Sequence, residues 1–297
     1  ILQYNARPMS DHDTLQKFLF DGTDIRGEIS SLADSYQAIL AQQQYPDAVA
    51  ALFGEFLVAA SLLSATLKYP GIITIQATGA GPIKTIMTEC TQGNKLRGIV
   101  RGDLAAAARG NSLQDFLGSA TLAITIEPEG GERYQGIVPL DADNLSQCLE
   151  HYFNQSEQLP TQIKLCADRH IASGVLIQQM PSSQQADKIT ADWQHISALM
   201  ETLKTEEQLS LSHSEQLYRL FHEDGVRLFE HQSLHFFCSC SRQRTERALI
   251  SLGAPEIQDI IEEQGSVLIT CEFCDEQYQF SDRDVEVMFG SEPPTLH

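Results

Sequence analysis

Positive charge is scarce in this sequence: 20 lysines and arginines stand against 40 aspartates and glutamates, a formal net charge of -20. Such a surface repels phosphate backbones and has few cations with which to displace their counterions, so nucleic acid is not expected as a general partner. A secretory leader is also lacking. ILQYNARPMSDHDTLQKF has neither a basic start followed by an apolar run nor a small-residue cleavage site, and Ile1 suggests a processed or tagged end. No long apolar run is unbroken: AVAALFGEFLVAASLLSATL, residues 48 to 67, carries Gly54, Glu55, Ser61, Ser64 and Thr66 and stands alone. It reads as a buried core helix, and no membrane partner is expected. TGAGP, residues 78 to 82, lacks the Lys-Ser/Thr of a phosphate loop and reads as a hairpin turn. There is no fixed-period repeat, and the nine histidines form no nucleophile-base pattern.

What is present reads as an α+β chain of two folding units. From Pro46, which suits a first helical turn, apolar residues recur at helical spacing through Val49, Phe53, Phe56, Ala60, Leu63 and Leu67. After Pro70-Gly71 come short β-rich runs bounded by turn residues: GIITIQATG, PIKTIMTE, KLRGIVRG, ATLAITIE and RYQGIVPL. A helix over Asp143 to Phe153 and two more strands, TQIKLCAD and ASGVLIQQM, complete a mixed, mainly antiparallel N-terminal domain over residues 1 to 180. Residues 181 to 231 read as a helical linker. Trp193, Ile196, Leu199, Met200 and Leu203 line one helical face, and Leu217, Tyr218, Leu220 and Phe221 mark another helix stopped by Gly225. Thr205 with Gln208, and Ser212 with Glu215, have capping-box spacing. Residues 232 to 297 form a small C-terminal domain ending in a loose SEPPTLH tail.

That small domain carries four of the seven cysteines: Cys238 and Cys240 in FFCSC, Cys271 and Cys274 in CEFC. With no export signal, the thiols are expected reduced and the protein cytoplasmic. A Cys-x-x-Cys on a hairpin knuckle presents two thiolates to one zinc, and the second pair completes a tetrahedral set. Spacing alone favours a structural staple for a segment whose core is marginal. Three features point toward redox chemistry. The segment holds four arginines, no lysine and twelve carboxylates, which suits no DNA-reading ribbon. Arg242, Arg244 and Arg247 follow Cys240 where a helix start would add to their field and favour thiolates. Cys-x-Cys closes only a small, strained and easily reduced disulfide ring. Cys90, Cys148 and Cys166 have no partner at metal spacing and read as core residues, and His235 as a neighbour of the site rather than a ligand. A thiol-disulfide oxidoreductase using CEFC and a zinc-dependent nucleic-acid module remain alternatives.

FFCSCSR and CEFC, with GERYQGIVPL, YFNQSEQLPT and LYRLFHEDGVRLFE, resemble the heat-shock protein 33 family, the redox-regulated 33 kDa chaperonins of bacteria. The resemblance runs from DIRGEI at residue 24 to the helix after CEFC. It implies an ATP-independent holdase for unfolding client proteins, not an enzyme. Such a protein is inactive when reduced and zinc-bound, and is activated when oxidants expel the metal and the linker unfolds. By motif match Cys238, Cys240, Cys271 and Cys274 would hold one Zn2+ per chain and, on oxidation, form Cys238–Cys240 and Cys271–Cys274 disulfides. The resemblance further implies a homodimer on activation. It makes Trp193, Ile196, Leu199, Met200, Leu203, Leu217, Leu220 and Phe221 candidates for linker and client surface.

Overall fold

The opening strands explain the architecture. β1 (Thr14–Phe20) and β2 (Ile25–Leu32) pair antiparallel, and their apolar residues alternate so that both faces of the ribbon are buried. Leu15 and Leu32 face one core; Phe18, Phe20, Ile25 and Ile29 face another. The structure, a computed structural model, describes residues 11–91, 94–181 and 185–290. The chain start and the expected SEPPTLH tail lie outside these.

A short α1 (Asp34–Leu40) leads to α2 (Asp47–Thr66), where Pro46 fills the cap position. α2 is long and apolar enough to cross a membrane, yet 83% of its apolar window is buried inside the protein. It packs on strands of two different sheets, so its all-round hydrophobicity is that of a core helix. β3 (Gly71–Gly79), β4 (Ile83–Thr91) and β5 (Lys95–Gly102) form an antiparallel meander. The TGAGP turn between the first two follows the expectation. Its glycine has a packing reason: a Cβ on Gly81 would lie 2.6 Å from the Phe116 carbonyl oxygen, while Gly81 N–H donates to Leu117 O at 2.7 Å. Two short helices, α3 (Leu104–Ala107) and α4 (Leu113–Leu117), precede β6 (Ala120–Pro128) and β7 (Tyr134–Pro139), which extend the same sheet. α5 (Leu145–Tyr152), capped by Asn144, then returns the chain to β8 (Thr161–Ala167) and β9 (Ala172–Gln179) beside β2.

The helices α6 (Ala186–Glu201), α7 (Thr205–Ser210) and α8 (His213–Phe221) come next in the chain. Ser212 and Glu215 make the expected capping box, but Thr205 is already helical and Glu207 takes the Lys204 N–H. The segment after α8 is not purely helical. β10 (Val226–Leu228) and β11 (Gln232–Ser233) add to β1, and β12 (His235–Phe236) pairs parallel with β5. Two- and three-residue strands carry too few side chains for alternation to be read from sequence. The first sheet therefore runs β10-β1-β2-β9-β8, and the second β12-β5-β4-β3-β6-β7. The expected α+β class with mainly antiparallel strands is what the structure shows.

The chain divides into two compact units, the first ending at Phe237 and the second beginning at Cys238. The second comprises α9 (Arg242–Leu252), α10 (Ala254–Gln264), a hairpin of β13 (Ser266–Thr270) and β14 (Gln277–Ser281), and α11 (Asp282–Gly290). Among the described residues its core is six buried apolar side chains, Leu249, Ile257, Ile261, Val267, Phe280 and Val285.

In the first unit, α8 is tied to the strands by a buried histidine. His213 Nε2 lies 2.9 Å from Ser31 Oγ and Nδ1 lies 3.0 Å from Gln16 Oε1. Burial, with His12 and His231 nearby, depresses its pKa to about 4 against the opposing pull of Asp11. The unfolded chain therefore takes up a proton first as pH falls below about 6.5, and the stability contributed by neutral His213 is lost progressively down to pH 4. The stability advantage of the wild type over His213→Gln should shrink by about 3 kcal/mol between pH 7 and pH 4 in urea titrations. An unchanged advantage would mean that the imidazole is not buried neutral.

Candidate metal and redox centre

Cys238 and Cys240 lie on the extended segment leading into α9, whose start is fixed by Ser241 accepting the Arg244 N–H at 3.2 Å. Cys271 and Cys274 form the knuckle between β13 and β14, as expected for CEFC. Cys271 O accepts the N–H groups of Cys274 at 3.4 Å and Asp275 at 2.8 Å, and Asp275 takes a left-handed φ of 56° to turn the chain back. These elements bring all four sulfurs within 4.8 Å of one another, each half-buried. Contacts cross between the pairs, Cys238 to Cys271 at 3.6 Å and Cys240 to Cys274 at 3.3 Å. Both exceed the roughly 2.05 Å of a disulfide, and none of the four cysteines is in a disulfide. A tetrahedron with bonds of about 2.3 Å to sulfur has edges of about 3.8 Å, so the donor set and its spacing fit a zinc-sized ion.

The electrostatics agree with that fit. Partial burial works against a thiolate at Cys238, but hydrogen bonds from the Cys240 backbone N–H and from the other thiols bring its pKa down. Cys271 and Cys274 are pushed up, first by burial and also by the sulfurs beside them. Burial and the neighbouring sulfurs thus work against charging Cys271 and Cys274, and a bound cation would be needed to hold four thiolates. Backbone N–H groups also serve the raised pair, Phe273 to Cys271 and Glu276 to Cys274.

The arginines after Cys240 make contacts of their own. Arg242 donates to Gln279 O at 2.7 Å, pairs with Asp284 at 3.1 Å and sits 4.2 Å over the Phe280 ring. Arg244 bonds Ser239, and Arg247 turns back to Gln243 O. They brace the segment that carries two of the thiols. His235 lies in the first unit, its backbone paired with β5. A residue that spacing did not flag is Tyr278, whose hydroxyl donates to Cys240 Sγ at 3.1 Å. Its position two residues before Phe280, on the inward face of β14, was the available signal. Cys90, Cys148 and Cys166 are buried, and burial raises their pKa, to about 12 for Cys90 and Cys166. They are packing residues.

The linker residues cluster elsewhere. Ile196, Met200, Leu203, Leu217, Leu220 and Phe221 are buried against Phe18, Phe20, Ile25, Ile29, Val175 and Ile177, with Trp193 and Leu199 half-buried at the edge. Phe221 meets Phe20 edge to face at 4.9 Å. The strand half of this second core escaped the sequence reading, although KFLF and DIRGEI carry the alternation that would have shown it.

A family described as Hsp33 protein matches residues 13–281. The chain is 44% identical over 293 residues to the 33 kDa chaperonin of Pseudomonas paraeruginosa, covering 97% of this chain and 99% of that one. It is 46% identical over 283 residues to the 33 kDa chaperonin of Pseudomonas syringae pv. tomato, covering 94% of each. Its fold matches the crystal structure of the 33 kDa chaperonin (heat shock protein 33 homolog) of Thermotoga maritima with a TM-score of 0.77 at 21% identity, over 93% of this chain and 98% of that one. With an α+β first unit and a four-cysteine second unit matched along nearly its whole length, the chain belongs to the heat-shock protein 33 family of chaperones.

Proposed function

We propose that the chain is a redox-switched, ATP-independent holdase of the cytoplasm, inactive when reduced and zinc-bound, and dimeric once activated. The observation that carries this reading is the convergence of four thiols in a unit with only six buried apolar residues among those described. When bound by Cys238, Cys240, Cys271 and Cys274, zinc supplies four bonds that tie the start of α9 to the β13–β14 knuckle. Such structural sites are worth about 10 to 16 kcal/mol of apparent folding free energy in small peptides, more than a unit of this size holds otherwise. Oxidation of the four thiols to two disulfides passes four electrons to an oxidant, for instance two hydrogen peroxides reduced to water, and removes the donor set.

Chain connectivity transmits the loss of that donor set. Only Phe237 separates β12 from Cys238, and β10, β11 and β12 are edge strands of two or three residues. Such strands lie at the low end of local stability, so melting of the second unit propagates back along them toward α8. Release of α6 to α8 uncovers their own stripe and the apolar face of β1, β2 and β9, a surface of the kind unfolding clients bind. The oxidoreductase alternative is disfavoured by the setting of CEFC, which joins two strands rather than opening a helix after a strand. Suppression of aggregation of a heat-labile enzyme by peroxide-treated but not reduced protein tests the whole reading; equal activity in both states would overturn it.

Reduced protein should contain one zinc per chain, and serine at any of the four cysteines should lower its affinity by orders of magnitude in a chelator competition. Retained affinity in Cys238→Ser would remove that residue from the ligand set. Oxidation should yield Cys238–Cys240 and Cys271–Cys274, because sequence-near thiols meet fastest once the unit has melted. The folded arrangement also brings Cys238 within 3.6 Å of Cys271 and Cys240 within 3.3 Å of Cys274, so non-reducing peptide mapping that finds the crossed pairs would mean oxidation occurs without melting. Trp193 reports the linker directly. Its emission should shift to the red, with stronger acrylamide quenching, in parallel with gain of holdase activity. Constant emission in active protein would place the client surface away from α6.

A further inference from the structure

The Tyr278–Cys240 contact has no role in the fold that packing alone requires. Tyr278 lies opposite Ile269 on the hairpin, and two residues on, Phe280 enters the unit's core. Strand alternation therefore anchors the tyrosine ring partly against that core, while its hydroxyl extends to the sulfur at 3.1 Å. The register is locked from the other side, because Arg242, two residues after Cys240, holds Gln279 O and covers Phe280. Cys238, Cys271 and Cys274 each take a hydrogen bond from a backbone N–H two residues on, a bond no single side-chain substitution removes. Cys240 takes a bond from a side chain, which one substitution can change.

We propose that Tyr278 is a positioning residue for the thiol centre: its hydroxyl holds Cys240 Sγ in the donor set and slows that sulfur's oxidation. This rests on the redox-switch reading of the four cysteines. Oxidation begins when a thiolate attacks one peroxide oxygen; the O–O bond breaks, hydroxide leaves, and a sulfenic acid remains. The second thiol of a pair then attacks that sulfur, water leaves, and the S–S bond forms. A lone pair engaged by a phenol must shed that hydrogen bond before it can attack, and a hydrogen bond to a metal-bound thiolate stabilises the anion that the metal needs. Both effects act in one direction, toward retention of the reduced clamp. Tyr278 thereby sets the oxidant threshold at which the chaperone switches.

The test uses the full-length, zinc-loaded, reduced protein and Tyr278→Phe, which keeps the ring in its place and removes only the hydroxyl. Zinc affinity measured against a chromogenic chelator should fall about tenfold, the low end for loss of an outer-shell partner. Zinc release under a fixed dose of hydrogen peroxide should accelerate several-fold. In cobalt-substituted protein the thiolate-to-metal charge-transfer band should move to lower energy, since the freed sulfur is the better electron donor; a merely structural role for the hydroxyl would leave the band in place. Tyr278→Leu separates ring from hydroxyl, and equal effects of the two substitutions on the band assign them to the hydroxyl. Unchanged affinity, release rate and band in Tyr278→Phe would overturn the proposal while leaving the redox switch intact. Failure of the wild type to bind zinc or to release it under peroxide would instead overturn the reading on which it rests.

Discussion

Four sulfur atoms within 4.8 Å cannot all be thiolates unless a cation lies among them, and the second unit is organised around that constraint. Left to the protein, the cluster lowers one thiol and raises two others, so what it resists is the charging of all four sulfurs without a cation. On the proposed reading the switch runs between two states that satisfy it: four thiolates around a divalent ion, and sulfurs joined in covalent bonds with each other. The six-residue core and the arginine braces are too slight to choose between them on their own. On the proposed reading the chemistry of the sulfurs governs whether this unit stays folded, which is the physical basis for treating it as a switch.

The first unit supplies the other requirement, a surface that can be uncovered without unfolding the domain beneath. β1, β2 and β9 are buried on both faces, but by different elements. α2 grips one face in a core shared with the second sheet, and α6 to α8 cover the other. Removing the helices leaves the strands held from behind. The cover is also fastened in part by polar groups. His213 bridges Ser31 and Gln16, and Gln208 donates to Lys164 O at 2.9 Å. Buried polar ties fix register strongly when complete and cost much when broken, so docking is expected to be cooperative.

Much of this was legible in the residues. α2, the meander after Pro70, the paired helices of the second unit and the CEFC hairpin each carry a local signal: apolar spacing, bounding turn residues, or a capping serine. The linker stripe was legible as a stripe. Its partner was not, because Phe18 and Ile177 are 159 positions apart and nothing local in either strand says that both faces of one sheet will be covered. β10, β11 and β12 were missed because two or three residues hold no period.

At the thiol centre the division is sharper. The sequence by itself determined which cysteines could act together, since only Cys-x-Cys and Cys-x-x-Cys place pairs of thiols on adjoining turns. Tertiary structure alone decided that sulfurs of different pairs meet, that Arg242 braces the backbone of the hairpin, and that Tyr278 reaches Cys240. Those outcomes depend on how a helix start settles against a hairpin thirty residues later in the chain. Packing of Phe280 and Arg242 fixes that distance and direction, and no local spacing rule encodes it.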